Sequence, residues 1–319
     1  MAGWDTARAD SLVTMRTGAS IVLAAALGLA AGGSSTGWEE GAPLPEPRSE
    51  VAAAATPGRL VVVGGFVADG NNSAHVDGYS IRADRWRRLP DLPVAVDHAS
   101  AASANGRVYV AGGYGADRVP LRTVFALVDG SWQRLPRMPD GRAAAAATIA
   151  DGRLYVVGGR DERRNLARVA FVLQLGGSRW QTIPGPSPRE HLAAASSLGR
   201  VYAIGGRAAG IDTNERALEV YDAAARRWQR LMPLPGARGG TGAAALGGRI
   251  VSVGGEQPAG TIRTVYAYDV RKGRWSRLAD LPTPRHGLGV VAAGNRIWAL
   301  AGGPQPGLTV SGAVESLHI

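Results

Sequence analysis

The sequence predicts an all-β fold, a six-bladed β-propeller of four-stranded antiparallel blades. Two periodic features carry this prediction. Gly-Gly pairs end apolar runs at intervals of 46 to 49 residues, from Gly64-Gly65 to Gly302-Gly303. A tryptophan recurs in step from Trp38 to Trp275, and a proline follows seven residues later in five of the six units. Repeats of this length with several short strands are typical of propellers, whose blades share a core around one axis.

Each repeat is predicted to contain four short strands. The first is rich in alanine, as in Val51–Ala55, and the second is apolar and begins with an arginine. The third carries Tyr or Phe, as in Val76–Ile81. The fourth begins at the tryptophan and ends at the prolines, which suit an outer edge because proline cannot donate to a sheet. We expect the repeated tryptophans to stabilise the blades rather than to bind a ligand.

The order of the strands predicts how the ring closes. The chain enters at the outer strand that carries Trp38 and leaves after a third strand over Val314–Ile319. The last blade therefore lacks its own outer strand, and the N-terminal segment should supply it. This closure removes a free sheet edge. We also expect the propeller, residues 34–319, to be a monomer.

Residues 1–33 are predicted to be a secretory signal peptide with a short linker. An apolar run of eleven residues, 21–31, follows Arg8 and Arg16. Eleven residues are too few to span a bilayer, and small residues favour cleavage near Ala30. We therefore expect export to the periplasm or the exterior, with no membrane span after cleavage. An uncleaved anchor or an internal helix is the alternative interpretation, and Met15 is an alternative start.

Composition excludes several classes of site. The chain has no cysteine, which excludes disulfides, thiolate metal sites and a cysteine nucleophile.

The formal net charge of the chain is +10, but 35 of the 36 lysine and arginine residues are arginine, and the exception is Lys272. A GC-rich genome would produce this bias. The arginines are spread through all the repeats without aromatic stacking partners, so we do not expect a nucleic-acid partner.

Three features of the repeat resemble the Kelch family of β-propellers. They are the Gly-Gly pair after an apolar strand, the Tyr-Asp pairs at Tyr221-Asp222 and Tyr268-Asp269, and the Trp-x-x-Leu-Pro segment. The resemblance spans residues 38–319 and implies a six-bladed propeller of the exported bacterial type. It implies a binding or interaction module that takes a protein or an anionic ligand on the loop face around the central channel.

The resemblance also leaves an enzymatic alternative. The family includes exported six-bladed sialic-acid epimerases (mutarotases), and this is our second interpretation. Its copper radical oxidases use a Tyr-Cys crosslink, which a chain without cysteine cannot form. We predict no cofactor.

An arginine ring is the first candidate site. Kelch adaptors similar to this chain bind acidic peptide segments through arginines at matching positions, which implies a carboxylate-bearing peptide or an anionic sugar here. The alternative is that each arginine is tied to a neighbouring blade by hydrogen bonds. An arginine follows the prolines in five repeats, with Val96 in its place in the second: Arg48, Arg142, Arg189, Arg238 and Arg285.

Three histidines that break the repeat are the second candidate. His98 and His191 stand two residues after the arginine position and His286 stands one after, so all three are predicted to line the channel mouth as ligand-binding residues. We do not expect them to bind a metal, because inner strands of alternate blades should lie too far apart to share one ion.

An epimerase would need a general acid, a general base and a cation for the sugar carboxylate. The candidates for the acid and base are Glu190, His191 and Glu256, and Arg189 or Arg285 would hold the carboxylate. No catalytic motif distinguishes them.

Overall fold

Short apolar strands joined by tight turns form six four-stranded antiparallel sheets in the computed structural model, which describes residues 37–319. The predicted fold class is confirmed. The predicted signal peptide and linker, residues 1–33, lie outside the described residues. Within residues 37–319, no helix is long and apolar enough to cross a membrane.

The strands follow the repeat in chain order. Blades 1 to 3, with the strand that precedes them, contain β1 (Trp38–Glu40), β2 (Ala52–Thr56), β3 (Arg59–Val63), β4 (Val76–Ser80), β5 (Arg85–Leu89), β6 (Ser100–Ala104), β7 (Arg107–Ala111), β8 (Val124–Val128), β9 (Ser131–Arg134), β10 (Ala146–Ala150), β11 (Arg153–Val157), β12 (Val169–Gln174) and β13 (Trp180–Pro184). Blades 4 to 6 contain β14 (Ala193–Ser197), β15 (Arg200–Ile204), β16 (Leu218–Asp222), β17 (Arg227–Arg230), β18 (Gly242–Leu246), β19 (Arg249–Val253), β20 (Glu256–Gln257), β21 (Gly260–Thr261), β22 (Tyr266–Asp269), β23 (Arg274–Arg277), β24 (Gly289–Ala293), β25 (Arg296–Leu300) and β26 (Val314–His318). A 3₁₀ turn over Ile211–Thr213 lies between β15 and β16, and β20 and β21 form a small separate hairpin.

The ring closes through the N-terminal strand, as the sequence predicts. β1 pairs antiparallel with β26, with Trp38 opposite Leu317 and Glu40 opposite Glu315. The sixth sheet therefore has the order β1-β26-β25-β24 and contains both ends of the described chain.

Each repeated tryptophan binds the blade that precedes it. The indole N–H donates to the backbone carbonyl that lies four residues beyond the preceding tryptophan, at 2.7 to 3.0 Å. The six donor and acceptor pairs are Trp86 with Ala42, Trp132 with Pro90, Trp180 with Pro136, Trp228 with Pro184, Trp275 with Met232 and Trp38 with Ala279. The tryptophans therefore have the structural role that we predicted.

The Gly-Gly pairs allow close contact between blades. Gly64 and Gly65 have φ of 61° and 96°, which glycine adopts readily. A Cβ on Gly64 would lie 2.6 Å from the carbonyl oxygen of Val96 in blade 2. In blade 6, Ala301 and Gly302 occupy the positions of this pair, with φ of 55° and 100°. The predicted pair Gly302-Gly303 is therefore displaced by one residue toward the C-terminus.

The innermost strand of every blade lines a central channel. Small side chains line its length, because six strands meet around one axis. The loops after the Gly-Gly positions and the loops before the innermost strands lie at the same end of the channel, which we call the channel mouth.

Candidate functional site

Six residues, one from each blade, form a ring of backbone hydrogen bonds around the channel mouth. All have left-handed backbones, with φ between 49° and 64°. The N–H of each of five donates to the carbonyl of its predecessor at 2.9 to 3.0 Å, and the Val51 N–H closes the ring on Gly287 at 3.2 Å. The six are Glu50, His98, Ala144, His191, Gly240 and Gly287.

Seven side chains form a second, closed ring above this backbone, which we call the mouth circuit. Each contacts the next at 2.6 to 3.7 Å. In order they are His98, His191, Glu190, Arg207, Glu256, His286 and Glu50, which returns to His98. Carboxylates alternate with arginine or histidine side chains around most of this ring, so the mouth is a charged site.

Glu50, His98 and His191 form the most compact part of the mouth circuit. The Nε2 atoms of His98 and His191 are 2.9 Å apart, and Glu50 Oε2 lies 3.3 Å from His98 Nε2. We expected histidines of alternate blades to lie too far apart to share an ion. The structure corrects this for His98 and His191, because their side chains point inward across the narrow mouth. His286 instead contacts Glu50 and Glu256.

Charge and burial act in opposite directions on these groups. Burial favours the neutral form of His98, but the Glu50 and Asp97 carboxylates outweigh it and raise the pKa of His98. Burial lowers the pKa of His191, and the neighbouring His98 lowers it further. Burial alone would raise the pKa of Glu190, but hydrogen bonds with His191 and Arg160 hold it down at about 2. The mouth thus holds an ionised carboxylate beside a neutral imidazole.

Three arginines that the repeat does not require lie at the channel mouth, Arg207 within the mouth circuit and Arg118 and Arg160 beside it. Arg118 donates to Asp97, Arg160 donates to Glu190, and Arg207 donates to Glu256 at 2.6 Å. The guanidinium of Arg118 also lies 4.4 Å from the ring centre of Tyr114 and 5.3 Å from that of Phe66. These arginines follow the Gly-Gly positions in blades 2, 3 and 4.

The five repeated arginines lie inside the blades. Each is at most 2% exposed. In blades 1, 4 and 6 the guanidinium binds a carboxylate of the third strand, on Asp77, Glu219 and Glu315. A ligand at the mouth has no access to these groups, which corrects the ligand-binding role that we predicted for Arg48, Arg142, Arg189, Arg238 and Arg285. The same burial removes Arg189 and Arg285 as partners for a sugar carboxylate.

The two remaining buried arginines make most of their contacts with neutral groups of their own blades, and Arg142 also lies 3.5 Å from Asp140 Oδ2. Arg238 donates to the carbonyl and hydroxyl oxygens of Thr264 at 2.9 and 2.8 Å, and burial lowers the pKa of Arg238 to about 10. Arg142 donates to the carbonyl of Gly141 at 2.7 Å and lies 4.3 Å from the ring centre of Phe171. The arginine therefore recurs in five of the six blades because each of these blades packs it in its interior.

Matches to known families agree with this geometry. The model of the KLHDC2/KLHL20/DRC7 Kelch-repeats domain matches residues 121–303, and that of the Kelch motif matches residues 47–93 and 97–139. The chain belongs to the Kelch-repeat family. No curated protein sequence matches it.

A solved structure shows the same fold as this Kelch propeller. The structure of YjhT superposes with a TM-score of 0.74, covering 85% of this chain and 95% of that one, at 15% sequence identity. At this identity the likeness concerns the fold alone.

The Kelch propeller brings several predicted residues together. His98, His191 and His286 all lie at the mouth, as do the three candidates for acid or base, Glu190, His191 and Glu256. Sequence reasoning missed Glu50. The signal was present, because Glu50 stands two residues after Arg48, in the register of His191 after Arg189.

Proposed function

We propose that this Kelch propeller is a binding module that takes a carboxylate-bearing ligand across the channel mouth. The observation that carries the proposal is the placement of Arg118 and Arg160 beside the mouth circuit and of Arg207 within it. A guanidinium has five N–H donors, and Arg118 uses its Nη1 on Asp97 while 45% of its side chain stays exposed. A ligand carboxylate can share such a group with its internal partner, since charge-assisted hydrogen bonds to arginine are strong.

The size of the channel supports binding over the mouth rather than within it. The upper channel encloses about 130 Å³, well below the range of roughly 300–1,000 Å³ that is usual for small-molecule pockets. A larger groove of about 670 Å³ adjoins the mouth beside Arg118 and includes Phe66, Asn72 and the exposed Leu308. An acidic segment of a protein could place its carboxylate on the arginine and its apolar part in this groove.

Two arginine variants test the proposal. A short oligo-glutamate peptide is titrated into the wild-type chain, Arg118→Gln and Arg160→Gln, with an oligo-glutamine peptide as the uncharged probe. We expect binding only of the acidic peptide, and a loss of about tenfold in each variant, since hydrogen bonds to charged groups contribute about 1.5–3 kcal/mol. Arg82→Gln is the matched control, because Arg82 is exposed at the opposite end of the channel. Equal binding of both peptides would contradict the proposal.

A second candidate function is epimerisation of an anionic sugar. Glu190 favours it, because this carboxylate lies within 3.5 Å of both His191 and Arg207 and also accepts a hydrogen bond from Arg160. An ionised carboxylate that can act as a general base, beside the guanidinium groups of Arg160 and Arg207, suits a sugar acid. The test is interconversion of the anomers of N-acetylneuraminic acid, followed by NMR in the wild type and Glu190→Gln. A rate equal to the uncatalysed one in the wild type would rule out this function for that sugar.

We also propose that the protein is exported and monomeric. The apolar run at 21–31 after two arginines supports export. Each blade ends in a short outer strand of three to five residues, and such short edges support a monomer. N-terminal sequencing of the secreted protein should show cleavage near Ala30, and light scattering should give the mass of one chain.

A further inference from the structure

Three ligand atoms converge at the channel mouth. They are Glu50 Oε2, His98 Nε2 and His191 Nε2, which all lie within 4.8 Å of one another. The three side chains are only 10 to 12% exposed. Two imidazole nitrogens and one carboxylate oxygen form a donor set that zinc and similar ions bind, and a fourth position is then left for water or a ligand.

Each of these residues has a charged or titratable neighbour on its outer side. His98 Nδ1 contacts Asp97, and Glu190 Oε1 lies 3.5 Å from His191 Nδ1. His286 Nδ1 lies 3.1 Å from the other oxygen of Glu50. A carboxylate thus faces the far nitrogen of each histidine, as is usual around histidine ligands.

The backbone at these positions is left-handed, and the fold does not require these side chains there. Glu50, His98 and His191 have φ of 51°, 51° and 52°, which glycine adopts more readily than any residue with a side chain. The matching residues of blades 5 and 6 are Gly240 and Gly287. The chain therefore places Glu and His where glycine suffices, which points to a function for the side chains.

From this geometry we infer that Glu50, His98 and His191 form a binding site for a divalent transition-metal ion, with Zn²⁺ the best match. The upper channel, about 130 Å³ beside the three residues, leaves room for the ion and a coordinated water. The inference goes beyond the proposed function and does not depend on it, because the arginines around the mouth can bind a ligand whether or not the ion is present.

Calorimetric titration of the full chain with zinc chloride tests the site. The chain has no cysteine, so thiolates cannot account for binding. We expect one ion per chain, a loss of at least 100-fold in His98→Ala and His191→Ala, and a loss of about 10–100-fold in the outer-partner variant Asp97→Asn. His75→Ala is the matched control, because His75 pairs with Glu46 outside the mouth circuit.

The titration also separates the metal site from a simple hydrogen-bonded cluster, in which one proton is shared between the two histidines. His191→Gly provides a variant that should fold, since glycine occupies this position in two other blades. Wild-type chain that binds no zinc would overturn the inference, and so would zinc that binds the wild type and His191→Gly equally well.

Discussion

The indole N–H of Trp38 donates to the carbonyl of Ala279 at 3.0 Å, across 241 positions of the chain. This bond completes the circle in which every blade donates to the one before it. The N-terminal strand therefore links blade 6 to blade 5 by the same bond that joins the other neighbouring blades.

Trp38→Phe should lower the free energy of unfolding by about 1 kcal/mol, because phenylalanine keeps an aromatic ring but lacks the indole N–H donor. Trp228→Phe removes the equivalent bond between two interior blades and should cost a similar amount. Urea denaturation of both variants measures the two values.

Removing residues 34–44 should cost far more than the single bond. The truncation deletes β1 and exposes the edge of β26, so the melting temperature should fall sharply. An unchanged melting temperature would contradict closure by this strand.

The buried arginines should differ in their effect on stability. Arg285→Met leaves Glu315 buried without its cation and should cost about 3–5 kcal/mol. Arg238→Met removes only hydrogen bonds to neutral oxygens and should cost about 1–3 kcal/mol. Denaturant unfolding measures the two losses of stability. Equal losses would show that leaving the Glu315 carboxylate without its cation adds nothing to the cost of the substitution.

Asp84 should make stability depend on acid pH. Its carboxylate accepts hydrogen bonds from the Ala42 N–H and the Tyr79 hydroxyl, and these lower the pKa of Asp84. A lowered pKa in the folded state means that the stabilisation is complete above the unfolded value of about 3.9 and is lost as the pH falls through the folded value. Wild type should therefore be more stable than Asp84→Asn at neutral pH, and the difference should shrink below about pH 4. A difference that stays constant with pH would exclude this role.

His191→Gly should leave the free energy of unfolding within about 1 kcal/mol of the wild type, since the left-handed backbone favours glycine. Ala144→Gly changes the same backbone position in blade 3 without touching a charged group, and it measures the backbone effect alone. A loss above about 3 kcal/mol in His191→Gly only would mean that the side chain holds the mouth together.

The sequence was sufficient to predict the fold because its signals repeat. Six copies of one spacing predict six blades, and the phase of Trp38 relative to Val314 predicts which strand closes the ring. The one-residue error at Gly302-Gly303 arose because Ala301 adopts the left-handed backbone that glycine has in the other blades.

The site was harder to predict, because its residues occur once. Arginines in five of the six repeats suggested a ring at the mouth, but this repetition reflects how those blades pack, and the structure places these side chains inside the blades. The distance between His98 and His191 depends on how far the loops reach across the channel, which spacing along the chain does not reveal. Residues that break the repeat were the better guide.

The claim that the channel mouth binds the ligand can be tested most directly through the histidines. The chain has five. His98, His191 and His286 are in the mouth circuit, whereas His318 contacts Asn295 at the opposite end of the channel. NMR of labelled histidine rings during titration with the oligo-glutamate peptide should show saturable shifts in those three and none in His318. Peptide that binds without shifting the three mouth histidines, or that does not bind at all, would contradict the claim.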